Sequence, residues 1–269
     1  MKCFIDKVIT HKDVTTDIKV LIPDAGLRRR MSSLIKNAVS TAVECLGGVD
    51  KIADLDAIIT ATGWGFLTDS ERFLRNMIVN KEELLNPTPF IQSTFNTVGG
   101  QISLLKNNHC YNMTYVHRSH SFEDALLDAM MRIADSESKN VLVGAFDEAT
   151  PSQQRIMERM GLFRHHNNGE GTVFAHLKSE KSENTIAELI KIEFLSESLT
   201  QKECLLKYVY SESSVLLWNK YKNYGLFPTA TAFTFTDAVN LVKEGVKEVV
   251  VYNEYFGAKP TVIIVQNLL

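Results

Sequence analysis

The side chains best suited to chemistry in this sequence lie in the segment "HRSHSFED". His117 and His120 flank Ser119, and Glu123 and Asp124 follow within one helical turn. A serine, a histidine base and a carboxylate that orients the base together carry out nucleophilic acyl transfer and hydrolysis. One hypothesis is therefore a serine nucleophile at Ser119.

The elements around this segment predict a β-strand that runs directly into a helix. "TYV" ends a strand, and "SFEDALLDAMMRI" has the apolar spacing of an amphipathic helix. Side chains alternate faces at the end of a strand, so His117 and Ser119 would share a side while His120 points away. Ser121 has capping-box spacing to Asp124, although Asp replaces the preferred Glu. We therefore favour helix capping by Ser119 or Ser121 over nucleophilic catalysis.

Strands and amphipathic helices alternate along the rest of the chain. Predicted strands include "CFIDKVIT", "LDAIITATGWG", "KNVLVGAFDE", "GEGTVFAHLKS" and "TIAELIKIEFLSE". We predict helices over residues 27–48 and 200–223 and in "TATAFTFTDAVNLVKEG", with a pair of strands at the end. The polar run "KSEKSEN" is the predicted linker. This order predicts an α/β fold with mixed β-sheets layered between helices.

Several long strings resemble the β-ketoacyl synthases of the thiolase superfamily. They are "PTPFIQSTFNTVGGQISLLKNNHCYNMTYV", "ALLDAMMRIADSESKNVLVGAFDEAT" and "GEGTVFAHL". More narrowly, "YVHRSHSFEDALLDAM" resembles synthase-like proteins of bacterial aryl-polyene and pigment-lipid gene clusters. "YKNYGLFPTATAFTFTDAV" and "YNEYFGAKPTVIIV" resemble the family's C-terminal helix and closing hairpin.

The resemblance implies a thiolase-like fold of two related halves stacked in five layers. We expect the N-terminal half over residues 1–178 and a shortened C-terminal half over residues 185–269. Members of the family are usually dimers, joined edge to edge through the strand that here covers residues 112–117. In active members a cysteine follows that strand and accepts the acyl chain from acyl carrier protein, and two histidines assist decarboxylation.

The family's catalytic residues are replaced in this sequence. Alignment of the strand places Ser119 at the cysteine position, and Leu226 follows Gly225 where the family has a "GH" pair. The motif "HGTGT" is missing, and "NEYFGAKP" stands where active enzymes carry "NSFGFGG". A serine alcohol does not ionise near neutral pH without a dedicated base. We expect the chain to be inactive alone.

This departure favours a chain-length factor, a non-catalytic homologue that pairs with an active β-ketoacyl synthase in fatty-acid or polyketide-type elongation on acyl carrier protein. Bulky side chains of such a partner close the acyl tunnel and set product length by steric overlap. Tyr115, His117, Phe122 and Leu126 are the candidate tunnel or interface residues.

The basic run of Arg28, Arg29 and Arg30 is a candidate contact for acyl carrier protein. It begins the helix predicted over residues 27–48, where the helix dipole disfavours cations. A solvated or salt-bridged helix start explains the run equally well.

Two alternatives remain open. One is a stand-alone acyltransferase or hydrolase that uses Ser119, and a stable acyl adduct on this serine would favour it. The other is a homodimer that only binds acyl chains or carrier protein. The partner is therefore either an active synthase or a second copy of the chain.

Composition excludes several other classes. The 269-residue chain has a net charge of −3 and a pI of about 6.2, so no electrostatic grip on nucleic acid or anionic membrane is predicted. The four cysteines lack metal or disulfide spacing. His165 and His166 have no spaced partners and predict a polar loop, so we expect no metal and no cofactor. Without a signal peptide or an apolar run of ~20 residues, we expect a soluble cytoplasmic protein that does not insert into membranes.

Overall fold

A computed structural model describes residues 2–163, 167–209, 213–255 and 258–268. Its strands form a nine-stranded sheet in the order β3-β2-β4-β5-β1-β6-β9-β8-β7. The strands are β1 (Cys3–Thr10), β2 (Ala57–Ala61), β3 (Tyr111–Tyr115), β4 (Asn140–Asp147), β5 (Gly171–Lys178), β6 (Ala187–Phe194), β7 (Ser214–Trp218), β8 (Glu248–Asn253) and β9 (Thr261–Gln266).

The sheet consists of two related halves. Outward from the centre the first half runs β1-β5-β4-β2-β3, and the second half runs β6-β9-β8-β7 with the same order and directions of pairing. Antiparallel pairing of β1 with β6 joins the halves, with Cys3 opposite Leu189. Among the described residues β3 has no counterpart in the second half. The predicted mixed α/β architecture of two related halves, the second shortened, is confirmed.

The helices fill the connections between these strands. They are α1 (Ile18–Leu21), α2 (Ala25–Arg30), α3 (Ser33–Leu46), α4 (Leu67–Val79), α5 (Pro87–Gln92), α6 (Thr97–Leu104), α7 (Ser121–Ala134), α8 (Pro151–Arg159), α9 (Gln201–Tyr208) and α10 (Thr231–Lys243). Short 3₁₀ turns include Arg118–His120 and Pro228–Ala230. None of the helices described is both long and apolar enough to cross a bilayer.

Three hydrophobic clusters show how the layers pack. The largest contains the buried faces of α7 and α10 together with strand residues from both halves. A second cluster packs α3 and α6 against the other face of the first half, and a third packs α9 against the second half. Phe122 of α7 meets Phe235 of α10 with ring centroids 5.6 Å apart. Helices α7 and α10 thus form the central layer.

Strand β4 shows why the sequence of a central strand is a continuous run of apolar residues. Both faces of "NVLVGAFD" are covered, by α7 on one side and by α3 on the other, so its side chains are buried from Val141 onward. At Gly144 a Cβ would lie 2.0 Å from the ring of Phe174 on the neighbouring strand. The strand delivers Asp147 to its carboxyl end.

Two sequence-based boundaries were wrong. The helix predicted over residues 27–48 is broken, because Met31 is extended (ψ 134°) and Ser32 starts the separate helix α3. Among its described residues, the segment 200–223 holds the short helix α9, then strand β7 and the start of a 3₁₀ turn at Lys220–Tyr224, because "SVLLW" completes the edge of the second half. A strand with so few residues gives a weak periodic signal, and its pairing with β8 decides its conformation.

Candidate functional site

The junction between β3 and α7 is a tight turn with an unusual backbone. Arg118 adopts a φ of +52°, in the left-handed region that non-glycine residues rarely enter. The hydroxyl of Ser121 accepts a hydrogen bond from the backbone N–H of His117 and donates one to the carbonyl of Arg118, both at 2.8 Å. Ser121 therefore closes the turn before the helix. Ser121 does not form the predicted capping box with Asp124, because the carboxylate of Asp124 pairs with the ring of His117 instead.

The two histidines beside Ser119 are both engaged with other groups. His117 Nδ1 lies 2.8 Å from Asp124 Oδ2, and His120 Nε2 lies 2.7 Å from the carbonyl oxygen of Lys259. Neither of these contacts involves Ser119, which is only 7% exposed. The fold therefore does not assemble the nucleophile, base and orienter considered from the sequence.

A cavity of about 520 Å³ lies next to this turn. Its lining comes from both halves and is mostly apolar. It consists of Gly63, Trp64, Arg118, Ser119, Met157, Leu162, Phe163, Leu226, Pro228, Tyr255 and Ala258. Ser119 and Leu226 are more than a hundred residues apart in sequence, yet both reach the cavity. The fold thus brings together the two positions that the sequence analysis aligned with the family's cysteine and one of its histidines.

Leu226 is fixed on the cavity wall by its backbone. Its N–H donates to the carbonyl of Asn167 at 2.8 Å, and Gly225 before it has a φ of +98°. A Cβ at Gly225 would lie 2.7 Å from the carbonyl oxygen of Asn168, so this close approach requires glycine. The side chain that follows is a buried hydrocarbon, which can neither move a proton nor stabilise an oxyanion.

Asp147 supports the cavity floor and was not identified from the sequence. One carboxylate oxygen accepts hydrogen bonds from the Thr62 hydroxyl and from the N–H groups of Gly63 and Trp64, at 2.7–3.0 Å. The other accepts from the N–H (3.0 Å) and hydroxyl (2.8 Å) of Thr229. Burial raises the pKa of Asp147, against the effect of these donors. The residue ties the loops that precede α4 and α10 to the end of β4.

Glu123 is the second fully buried acid near the turn. It is 1% exposed, and the Thr261 hydroxyl lies 3.3 Å from its Oε1. Its Oε2 has no partner among the described residues. Burial raises the pKa of Glu123 to about 7. In the sequence Glu123 was one of two carboxylates considered as the group that orients a histidine base; the structure instead places it inside the central layer, facing the second half.

The four candidate tunnel or interface residues separate into two groups. Tyr115 is the last residue of β3, an edge strand of the sheet, and His117 lies two residues beyond it. Phe122 and Leu126 are buried in the central layer of their own chain and do not line the cavity. A role at a tunnel or interface therefore stays a prediction for all four residues, by direct contact for Tyr115 and His117 and through the packing behind the turn for Phe122 and Leu126.

The basic run has a different setting from the predicted one. It lies in the last turn of α2, where the helix dipole favours cations, because the helix ends at Met31. Arg28 donates to the carbonyl of Pro23 at 2.7 Å and holds the preceding loop. Arg29 and Arg30 are exposed. Only these two remain available for an acidic partner.

No group of three His, Cys, Asp or Glu side chains in the described ranges is arranged to hold a metal ion. The described cysteines are free, and burial raises the pKa values of the Cys3 and Cys45 thiols to about 12. A thiol with so high a pKa is a poor nucleophile and ligand at neutral pH. His165 and His166, expected in a polar loop, lie outside the described residues.

Residues 9–183 fit the family model of the β-ketoacyl synthase N-terminal domain. No match was found among curated proteins. Among solved structures, the chain is similar to one chain of a complex that is described as a type II polyketide synthase acyl-carrier protein with its ketosynthase bound to the hexaketide. The TM-score is 0.75 at 13% identity, over 99% of each chain.

Two further solved structures share the fold. The ishigamide ketosynthase/chain length factor has a TM-score of 0.71 at 13% identity, over 94% of this chain and 86% of that one. A ketosynthase in complex with its chain length factor from Xenorhabdus doucetiae has a TM-score of 0.57 at 15% identity, over 95% and 88%. At such identities the likeness shows a thiolase-like ketosynthase fold.

Proposed function

The chain belongs to the β-ketoacyl synthase family, and from this premise we propose that it is a non-catalytic member that pairs with an active synthase as a chain-length factor. The observation that supports the proposal is that Ser119 and Leu226, which the resemblance aligns with the family's cysteine and a histidine, line one cavity. The pair would act in fatty-acid or polyketide-type elongation, of the aryl-polyene kind, on acyl carrier protein. Residues 1–178 and 185–269 would be its two halves.

The chemistry of these positions supports a silent site. Acyl transfer needs a nucleophile that is ionised or served by a base, and His117 and His120 are hydrogen-bonded to Asp124 and Lys259 rather than to Ser119. Decarboxylation of a malonyl group needs donors for the developing oxyanion, and Leu226 offers none. A chain with these replacements depends on another subunit for catalysis.

The open edge of the sheet supports the pairing. Strand β3 bonds only to β2 among the described strands, so one row of its backbone N–H and C=O groups is free to pair. Met113 and Val116 are 42% and 43% exposed there. Because isolated apolar edges favour association, this edge is the surface we assign to the partner synthase.

The control of product length would then operate at this edge. Tyr115 is a bulky ring at the end of β3, and burial raises its pKa to about 12, so the phenol remains neutral at any physiological pH. A neutral aromatic side chain at the interface can end a partner's acyl tunnel by steric overlap. His117 would flank it, held by Asp124. Arg29 and Arg30 would contact the acidic carrier protein.

The first test is affinity purification of the tagged chain from its native host, with mass spectrometry of the proteins that co-purify. We expect an equimolar synthase that carries the cysteine and both histidines. Met113→Asp and Val116→Asp should each abolish recovery of this synthase. Association would bury the new carboxylate at the strand edge without a compensating positive charge or hydrogen bond, which costs free energy. Leu206→Asp is the matched control, since Leu206 is 73% exposed on α9, away from this edge.

Two other outcomes would contradict the proposal. Recovery of the bait alone, as a homodimer, would show that the chain does not pair with a synthase. A stable acyl adduct on Ser119 that disappears in Ser119→Ala would identify a stand-alone acyltransferase or hydrolase instead.

A further inference from the structure

Strand β7 ends the second half of the sheet at a position that is not an edge in the first half. Its counterpart, by order along the sheet, is β2, which pairs in parallel with β4 on one side and with β3 on the other. Within the described residues, β7 pairs in parallel with β8 only. The repeated architecture therefore has a strand position beside β7 that the described chain leaves vacant.

The backbone groups of β7 point alternately to β8 and to this vacant position. The N–H of Asn219, directly after the strand, donates to the carbonyl of Tyr252 of β8 at 2.8 Å, so the odd-numbered residues direct their N–H and C=O groups to β8. The groups of Ser214, Leu216 and Trp218 consequently point outward. For those of Leu216 and Trp218, the described residues supply no partner.

A groove of about 410 Å³ lies beside this edge. It is lined by Leu217 of β7 and by several residues of α10, among them Asp237 and Leu241. In the first half the matching helix α7 packs on β3, and the Tyr111 hydroxyl of β3 donates to Asp128 of α7 at 3.1 Å. The second half thus keeps a helix next to a strand position that its own described residues do not fill.

The two ends of β7 carry opposite charges. At its start, Glu248 of β8 lies opposite Ser214, whose hydroxyl donates to Oε1 at 3.1 Å. Beyond its end lies the exposed Lys220. Between these ends "SVLLW" has neither a charged residue nor a proline, which are the residues that keep most edge strands from pairing. An edge with this charge order is complementary to an antiparallel copy of itself.

We propose that the β7 edge is the docking site for the same edge of a second copy of this chain. The two β7 strands pair antiparallel about a twofold axis at Leu216, as in other isologous interfaces. The outward groups of the two Leu216 residues then face each other, and those of Ser214 face those of Trp218. These are the hydrogen-bonded pairs of an antiparallel ladder.

The same axis satisfies the side chains along the edge. Lys220 of each copy lies towards Glu248 of the other, so that unlike charges meet at both ends of the pair. Val215 and Leu217 alternate with the outward residues and, in the added strand, face the groove beside α10. The second copy therefore supplies both the missing backbone partners and apolar cover.

This pairing does not depend on the proposed function. Strands β3 and β7 lie at opposite ends of the nine-stranded sheet, so a synthase on β3 and a second copy on β7 do not compete. With both edges occupied, the assembly contains two copies of each chain.

Sedimentation velocity of the purified chain over a range of concentrations tests the pairing. We expect a concentration-dependent dimer. Leu216→Pro should make the chain monomeric, because proline removes the outward N–H at the twofold axis while the bonds from the odd-numbered residues to β8 remain. Met113→Asp, at the β3 edge, should leave the dimer unchanged. Circular dichroism verifies that each variant is folded.

Charge reversal decides the question if Leu216→Pro does not fold. Lys220→Glu and Glu248→Lys should each weaken the dimer by roughly tenfold at low salt, since each replaces attraction by repulsion at both ends of the pair. The double variant should restore the dimer. Lys19→Glu, at an exposed position of α1 in the first half, is the matched control and should leave it unchanged.

Three results would refute the pairing: a wild-type chain that is monomeric at every concentration, a dimer that persists in folded Leu216→Pro or resists both charge reversals, and a dimer that is lost in Met113→Asp. Recovery of a synthase from the native host should be the same for Leu216→Pro and the wild type. Failure of the β7 pairing and failure of the proposed function are therefore observed separately.

Discussion

Asp147 and Glu123 are both fully buried acids beside the turn, and they differ in how the protein satisfies them. Asp147 accepts five hydrogen bonds from two loops. Glu123 has one oxygen without a partner in the described chain. No local pattern could reveal this difference, because the donors come from Thr62, Gly63, Trp64 and Thr229, which only the fold brings near. Ser119 and Leu226 could be selected from the sequence because the resemblance to the family aligns individual positions along the chain, and this alignment does not require knowledge of their contacts.

The environment of Glu123 predicts how stability depends on pH. Its pKa is raised from 4.5 to about 7, so the folded state holds the proton more tightly than the unfolded state. Stability from this group is therefore present below pH 4.5 and is lost as the pH rises towards 7. Glu123→Gln should match the wild type at pH 4 and raise the free energy of unfolding at pH 8, by at most about 3 kcal/mol.

Urea denaturation at the two pH values measures this effect. Glu83→Gln, at an exposed position, is the control and should not alter the pH dependence. Equal stability of Glu123→Gln and the wild type at pH 8 would show that Glu123 is ionised without cost.

At the scale of elements, strands and long helices were predicted better than their junctions. The strands β1, β4, β5 and β6 and the helix α10 follow from apolar periodicity, since each has enough residues to display it. The break at Met31 and the short strand β7 depend on neighbours far along the chain. So does the turn at Arg118, whose positive φ no sequence rule anticipates for an arginine.

The contact between α7 and α10 predicts the effect of Phe122→Ala. Phe122 is buried against Phe235, so its truncation should lower the free energy of unfolding by about 3–5 kcal/mol. Leu206→Ala, at an exposed position of α9, should change it by less than ~0.5 kcal/mol. Chemical denaturation gives both values. An unchanged stability for Phe122→Ala would contradict the central position of this ring.

At the scale of the whole molecule, the two halves share one interior. Only the pairing of β1 with β6 joins them through the backbone of the described strands, but α7 and α10 each pack on strands from both halves. A shared apolar layer couples two sheets more strongly than a short run of hydrogen bonds, because its stabilisation grows with buried area.

We therefore predict that the halves unfold together. Trp64 lies in the first half and Trp218 in the second, where it stacks on Tyr252 at 4.0 Å. Single-tryptophan variants, Trp64→Phe and Trp218→Phe, should report urea midpoints that coincide with the circular dichroism transition of the same variant. Separate midpoints within one variant would show that each half is an independent folding unit.

The central place of β1 has a consequence for biosynthesis. Strand β1 leaves the ribosome before the other described strands, yet its neighbours in the sheet are β5 and β6. Strand β1 therefore has no neighbouring strand to pair with until more than 160 further residues have been translated. At synthesis rates of about 5–20 residues per second this exposure lasts on the order of ten seconds or more. A nascent chain of this kind is a natural client for chaperones that bind at the ribosomal exit.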